Sequence, residues 1–130
     1  MAGVASYMNE YYSVGGLRIH ITKQTLPIKS GLSSSAAICV LAARAFNQVY
    51  KLRISIVGEM QIAFYGEQRT PSRCGRLDQA CAYGIKPVHM IFDGNEIETR
   101  PLKIAKPLYW AIADLKASKD TVKILSDLNK

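Results

Sequence analysis

One junction limits the fold of this chain more than any other feature: a loop rich in glycine and serine that passes directly into an apolar helix. The stretch PIKSGLSSSAAICV covers residues 27–40, and its three consecutive serines end where alanine, isoleucine and valine begin. Residues 35–51 are predicted to form the helix. Its polar side chains recur at steps of three or four: Arg44, Asn47, Gln48 and Lys51. Because the other positions are apolar, most of the helix circumference should be buried.

The remaining segments predict a single α+β domain over residues 1–130, with no internal repeat and no linker. The alternation of LRIHITKQ (residues 17–24) predicts a half-buried strand, and the apolar run LYWAIADL (residues 108–115) predicts a central one. Residues 87–102 are predicted to form a hairpin around Asp93-Gly94. Further helices are predicted at residues 3–12 and at residues 76–83, the second of which is ended by Gly84. Ser55 opens another helix, and Ser118 caps a last one. The helix opened by Ser55 has a predicted buried stripe of Ile56, Met60, Ala63 and Phe64.

Composition narrows the class of protein. The hydrophobic share of 48% and the charged share of 21% are those of a folded globular chain. The three cysteines form no CxxC pair, which favours reduced thiols in the cytoplasm over a disulfide framework or a zinc site. No apolar run approaches the roughly 18 residues of a membrane span, and the N-terminus lacks the pattern of a signal peptide. We therefore expect a cytoplasmic protein without a membrane partner.

The net charge of +7 favours anionic partners, of which nucleic acid is the first to consider. The basic residues are dispersed along the chain, however, and no basic stripe interleaved with aromatic residues or nucleic-acid motif is present. A small molecule that carries phosphate accounts for the charge equally well. We therefore expect no nucleic-acid partner.

The serine loop has the chemistry of a phosphate site. A helix N-terminus offers free N–H groups and about half a positive charge, and Gly31 lets the backbone approach an anion closely. Serine hydroxyls add hydrogen bonds and can ligate Mg²⁺, and Lys29 can supply a cation. The loop lacks the Gly-Lys-Ser/Thr of a Walker A motif and the G-x-S-x-G of a nucleophile elbow. The alternative is a serine that only caps the helix, with nothing bound.

Glu67 continues the predicted buried stripe of its helix, so a carboxylate lies where the buried face should run. An unpaired buried charge is costly, so this group needs a cation or access to solvent. A metal ion, Arg69 and Arg73 are the partners that the sequence offers.

Asp78 follows a Pro-Ser-Arg-Cys-Gly loop and begins a short helix of small residues. A carboxylate at such a junction can cap the helix, or it can accept a proton from an alcohol. Both roles stay open at the level of the sequence.

Three stretches together resemble the GHMP kinases, nearest the sugar-kinase branch of that family. Lys-Ser-Gly-Leu-Ser-Ser-Ser-Ala-Ala (residues 29–37) is similar to the family's phosphate-binding motif. Gly-Glu at 66–67 and Ser-Arg-Cys-Gly-Arg-Leu-Asp-Gln at 72–79 resemble its glutamate and its Gly-x-x-Asp segment. The order, the spacing and the placement on helices all match. The family's first motif, near its N-terminus, and its third, a C-terminal glycine-rich loop, are not found here, so the chain resembles the central part of such a kinase.

The resemblance implies transfer of the γ-phosphoryl group of ATP to a hydroxyl of a small sugar-like acceptor, with Mg²⁺ as cofactor. Ser35 and Glu67 would ligate the Mg²⁺, and Asp78 would act as catalytic base or orient the acceptor. Gly75 and Arg76 would contact the acceptor. The residues implied in ATP binding are Lys29, Ser30, Gly31, Leu32, Ser33, Ser34, Ser35 and Ala36.

The family fold is a two-domain α+β structure, and its N-terminal part resembles domain 2 of ribosomal protein S5. A shortened chain would expose core surface, which favours a homodimer. A catalytically inactive remnant that binds nucleotide or a protein is the alternative function. A nucleic-acid binder built on the S5-like fold is a weaker one, because a shared fold does not establish function.

Overall fold

The computed structural model describes residues 1–28, 30–71 and 74–113 of the chain. In this part, the elements in chain order are α1 (Ala2–Tyr12), α2 (Ser34–Val49), α3 (Ile56–Gln68), a 3₁₀ helix (Asp78–Tyr83), β1 (Val88–Asp93) and β2 (Glu96–Pro101). The predicted helices at residues 3–12 and 35–51 and the helix opened by Ser55 are confirmed. The short helix predicted at residues 76–83 is present as a 3₁₀ helix, and Gly84 follows it as predicted.

Helices α1, α2 and α3 surround one apolar core, to which the 3₁₀ helix adds a side chain. The most deeply buried members are apolar side chains from all three helices and the 3₁₀ helix. They include Val4, Met8, Val40, Ala43, Phe46, Met60, Ile62, Ala63 and Ala82. The stripe predicted for α3 is confirmed at Met60 and Ala63, whereas Phe64 is half-buried and Ile56 is exposed.

Two glycines set the approach of α1 to α3. A Cβ on Gly3 would collide with the carbonyl oxygen of Gly66, and a Cβ on Gly66 would collide with Val4. Only hydrogen atoms fit between the backbones at this crossing. The crossing therefore fixes the position of α3 at Gly66, the residue directly before Glu67.

A partly buried polar network joins α2, α3 and the 3₁₀ helix. The Arg44 guanidinium contacts Glu59 Oε2 at 2.7 Å and donates to the Ala82 carbonyl oxygen at 2.8 Å. Asn47 Nδ2 donates to Glu59 Oε1 at 2.8 Å, so both oxygens of this carboxylate have partners. Because Ala82 belongs to the 3₁₀ helix, the network positions the segment that begins with Asp78.

The predicted hairpin is confirmed, with strands β1 and β2 antiparallel and Asp93 paired with Glu96. The turn residues are Gly94 and Asn95, one position later than the predicted Asp-Gly centre, and Gly94 takes the left-handed φ of 54° that glycine tolerates. Arg76 donates to the Gly94 carbonyl oxygen at 2.7 Å, which ties this turn to the loop before the 3₁₀ helix.

The two other predicted strands are wrong within the described residues. Residues 17–24 form no strand. Of the apolar side chains on one face of the predicted strand, Leu17 packs on the core, whereas Ile19 and Ile21 are exposed. Residues 108–113 also form no strand, and Trp110 is exposed. A strand needs a neighbour to pair its backbone groups, and in the described part of the chain only β1 and β2 pair.

Two further predictions fall outside the described residues. They are the last two residues of the run LYWAIADL and the helix capped by Ser118. None of the helices that the structure describes is long and apolar enough to cross a membrane.

Candidate functional site

The serine loop reaches α2 through two left-handed residues. Gly31 has φ 79°, and Ser33, the residue before the helix, has φ 54° and ψ 37°. For a residue with a side chain this conformation costs about 1 kcal/mol or more, and such strain is concentrated at binding sites. The Ser33 hydroxyl makes no capping hydrogen bond, so the alternative of a simple serine cap at this position is wrong.

The start of α2 therefore has free donors. The first bond of the helix runs from Ala37 N–H to the Ser33 carbonyl oxygen, and the N–H groups of Ser34, Ser35 and Ala36 have no acceptor within the described chain. These groups carry the partial positive charge of the helix end. Ser35 is exposed beside them, while Lys29 lies outside the described residues.

Glu67 is 2% exposed, so its predicted burial is confirmed. Its Oε2 accepts one hydrogen bond, from Gln79 Nε2 at 3.1 Å, and its Oε1 has no hydrogen-bond partner in the described part of the chain. Arg69, one of the predicted partners, pairs instead with Glu10 at 2.8 Å. Arg73 lies outside the described residues. No ion pair to Glu67 is found among the described residues.

Two buried thiols surround this carboxylate. Burial raises the pKa of the Cys74 thiol to about 12, and the neighbouring Glu67 carboxylate adds to the rise. Burial also raises the pKa of Cys39, and the charge of Glu67 adds to the effect. Cys39 lies four residues after Ser35 on α2, which is about 6 Å along the helix axis. Helices α2 and α3 contact each other directly, so Ser35 and Glu67 lie on two packed helices.

A hard divalent cation fits this environment. A buried carboxylate oxygen without a donor is costly, and a cation would satisfy both its charge and its lone pairs. Among the described residues, no group of three or more His, Cys, Asp or Glu side chains could hold a metal. Mg²⁺ does not need such a group, because it is usually bound by one or two protein oxygens together with substrate phosphates and water.

Asp78 is the first residue of the 3₁₀ helix, and its side chain is exposed. The residue in the cap position is Leu77, and no side-chain capping bond is formed, so the alternative that Asp78 caps the helix is wrong. Desolvation raises the pKa of the nearby Cys81 thiol, and the Asp78 charge adds to this rise. An exposed carboxylate at this position is accessible to an acceptor hydroxyl.

The structure places Gly75 and Arg76 in the loop before Asp78. A Cβ added to Gly75 would meet no atom within 4 Å, so space is open there. The Arg76 guanidinium lies 4.9 Å from the ring centre of Phe64 and donates to the Gly94 carbonyl oxygen. Arg76 is therefore occupied in holding the hairpin turn against α3.

Sequence reasoning missed Gln79, whose side chain is fully buried and touches both Glu67 and Cys74. Its only signal is its place directly after Asp78, because an isolated glutamine has no periodic pattern. An open cavity of about 440 Å³ lies elsewhere, between α1 and residues 15–19, and no candidate site residue lines it.

Known proteins match most of this chain. The family model described as the GHMP kinases N terminal domain matches residues 1–84. Galactokinase from Thermotoga maritima is 34% identical over 110 residues, covering 78% of this chain and 30% of the relative. 4-Diphosphocytidyl-2-C-methyl-D-erythritol kinase from Limosilactobacillus reuteri is 30% identical over 122 residues, covering 93% and 38%. Galactokinase from Pyrococcus furiosus is 34% identical over 93 residues, covering 70% and 26%.

The chain thus spans about a third of the length of these curated relatives. No solved structure gives a significant match.

Proposed function

Because the chain belongs to the GHMP kinase family, we propose that it forms the ATP-binding part of a kinase that phosphorylates a hydroxyl of a small molecule. The observation that carries the proposal is the buried Glu67, whose Oε1 has no partner among the described residues. A kinase that uses Mg²⁺ needs a carboxylate of this kind, whereas a purely structural helix face does not. The free N–H groups at the start of α2 add a place for phosphate.

In this proposal the serine loop surrounds the ATP phosphates. The left-handed residues Gly31 and Ser33 turn the backbone so that the N–H groups at the start of α2 face the phosphate oxygens, while serine hydroxyls donate further hydrogen bonds. The contacts are assigned to Lys29, Ser30, Gly31, Leu32, Ser33, Ser34, Ser35 and Ala36.

Ser35 and Glu67 would hold Mg²⁺ from α2 and α3. The ion would offset charge on the transferred phosphoryl group, a contribution that dominates in this class of reaction. The two side chains differ in exposure, with the Ser35 hydroxyl at the surface and the Glu67 carboxylate buried. This difference suits an ion held at the boundary between protein and bound nucleotide.

Asp78 is assigned as the base that accepts the proton of the acceptor hydroxyl. The acceptor oxygen then bonds to the γ-phosphorus, and the bond from this phosphorus to the bridging oxygen breaks, so that ADP leaves. Gly75 gives the acceptor room beside Asp78. Arg76 already holds the hairpin turn through the Gly94 carbonyl oxygen, and its place in the same loop assigns it to the edge of the acceptor site as well.

The acceptor is proposed to be a sugar or sugar phosphate, because two of the relatives above are galactokinases. The kinase from Limosilactobacillus reuteri is named for a different acceptor. The choice of a sugar therefore also depends on the loop of three serines, which resembles that of the sugar-kinase branch. We place the protein in the cytoplasm, with free cysteines as support. We further propose one S5-like domain over residues 1–130 and a homodimer that covers exposed apolar side chains.

The test is ADP release by the purified chain over a panel of sugars and sugar phosphates, with ATP and Mg²⁺. We expect release that depends on one acceptor and that falls at least about 100-fold in Asp78→Asn, because a general base typically contributes 10²–10⁴-fold. Nucleotide affinity should be unchanged in this variant. Mg-ATP binding without acceptor-dependent release would favour the inactive nucleotide-binding remnant instead.

A further inference from the structure

Gln79 is fully buried, and only one end of its amide is satisfied. Its Nε2 donates to Glu67 Oε2 at 3.1 Å and to Cys74 Sγ at 3.2 Å. Its Oε1 has no partner among the described residues, and neither has Glu67 Oε1. Two buried oxygens on directly hydrogen-bonded side chains therefore both lack a donor.

The orientation of this amide is fixed by its neighbour. Reversing it would place the Gln79 carbonyl oxygen against Glu67 Oε2, where two acceptors would face each other. The carbonyl oxygen is therefore held in a direction in which the described residues offer no donor. Leaving a buried oxygen in this state is destabilising, and more so when the group is charged.

A cation satisfies this pair of oxygens better than a buried water molecule does. Water could donate to both oxygens, but it would leave the Glu67 charge without compensation. A carboxylate and an amide carbonyl are both hard oxygen ligands, which Mg²⁺ and Mn²⁺ prefer.

We infer that Gln79 Oε1 is a ligand of the same divalent cation that Glu67 Oε1 binds. Gln79 Nε2 at the same time donates its hydrogen bond to the other carboxylate oxygen, Glu67 Oε2. The inference rests on the proposed function, to which it adds a ligand that the sequence resemblance does not assign. It also links the cation to Asp78, because Gln79 is the next residue in the chain. An ion that holds Gln79 therefore holds the backbone that carries the proposed base.

The test measures binding of Mn²⁺ without nucleotide, by electron paramagnetic resonance of the free ion, for the whole chain and four variants. Gln79→Met removes both polar ends, and Gln79→Glu keeps an oxygen ligand while losing the donor. Glu67→Gln removes the charge, and Gln61→Met is the matched control on α3. We expect Gln79→Met to weaken Mn²⁺ binding at least about tenfold, as is usual for partners at a metal site. Gln79→Glu should bind as well as the parent or better, and Gln61→Met should match the parent.

The Gln79→Glu variant shows whether Gln79 is a ligand of the metal ion or only supports Glu67 by donating a hydrogen bond. If Gln79 acts only by donating to Glu67, both Gln79 variants should bind Mn²⁺ equally weakly, and that result would overturn the inference. Unchanged binding in Gln79→Met would overturn it as well, since water would then suffice between the oxygens. Should Gln79→Met unfold, the comparison of Gln79→Glu with the parent still decides.

The two proposals fail in different ways. A parent chain that binds Mg-ATP and shows no effect of Gln79 substitution would retain the proposed function and lose this ligand. A parent chain that binds neither Mn²⁺ nor Mg-ATP would overturn both.

Discussion

At the scale of single residues, burial decides the chemistry of the site. Glu67 and Gln79 are both almost completely buried, and each leaves one oxygen without a partner in the described chain. Asp78, the neighbour of Gln79, is exposed. The carboxylate suited to a cation thus lies inside the domain, and the one suited to a substrate proton lies at its surface.

The thiols provide a residue-scale prediction. Burial raises the pKa of Cys74 from 9.0 to about 12, so its thiol stays protonated in the folded chain up to strongly alkaline pH. Only thiolates react quickly with iodoacetamide. At pH 8 we expect Cys74 and the buried Cys39 to remain unmodified in the native chain and to react in urea. The exposed Cys81 should react in both states, but more slowly in the native chain, because its pKa is raised there. Mass spectrometry of the alkylated chain measures the order in which the three cysteines are modified.

The same pKa fixes the sign of a stability effect. Between pH 9 and 12 the unfolded chain loses the Cys74 proton and the folded chain keeps it, so this group's contribution to stability is complete below pH 9 and is lost across that window. Native Cys74 that is alkylated at pH 8 as fast as in urea would contradict both statements.

At the scale of elements, the sequence correctly predicted the features that depend on residues close together in the chain. The periodicity of α2 and the cap at Ser55, whose hydroxyl accepts from Gly58 N–H at 3.2 Å, depend on residues close in the chain. Residues 17–24 and 108–113 alternate or run apolar as strands do, but a strand also needs a pairing neighbour, which no local pattern reveals. The burial of Glu67 followed from its helix periodicity, whereas its contact with Gln79 depends on tertiary packing.

The crossing of α1 and α3 gives an element-scale prediction. Gly66→Ala places a methyl group against Val4, and the clash should outweigh the better helix propensity of alanine. We expect a loss of about 1–3 kcal/mol in the free energy of unfolding, as is typical of overpacking. Urea unfolding followed by circular dichroism measures it.

Gly16→Ala is the matched control for that substitution, because a Cβ there would meet no atom within 4 Å. It should change the unfolding free energy by less than about 0.5 kcal/mol. Equal effects of the two substitutions would show that the close helix crossing does not determine stability.

At the scale of the whole molecule, the proposed site spans two helices whose relative position is set from several sides. The glycine crossing fixes α1 against α3, and the Arg44–Glu59 pair fixes α2 against α3 and the 3₁₀ helix. Tyr109 and Trp110 are exposed on the segment after the hairpin, so apolar surface remains for a partner or for a second copy.

A calorimetric titration of the folded chain with ATP, with and without Mg²⁺, tests whether Ser35 and Glu67 share one ion, for the parent, Ser35→Ala and Glu67→Gln. If the two residues share one Mg²⁺, the parent should bind ATP more tightly with Mg²⁺, and each variant should lose most of this gain while keeping the unfolding temperature of the parent. Ser6→Ala, on α1, serves as the control and should bind as the parent does. Equal Mg²⁺-dependent affinity in the parent and both site variants would show that Ser35 and Glu67 do not share a Mg²⁺.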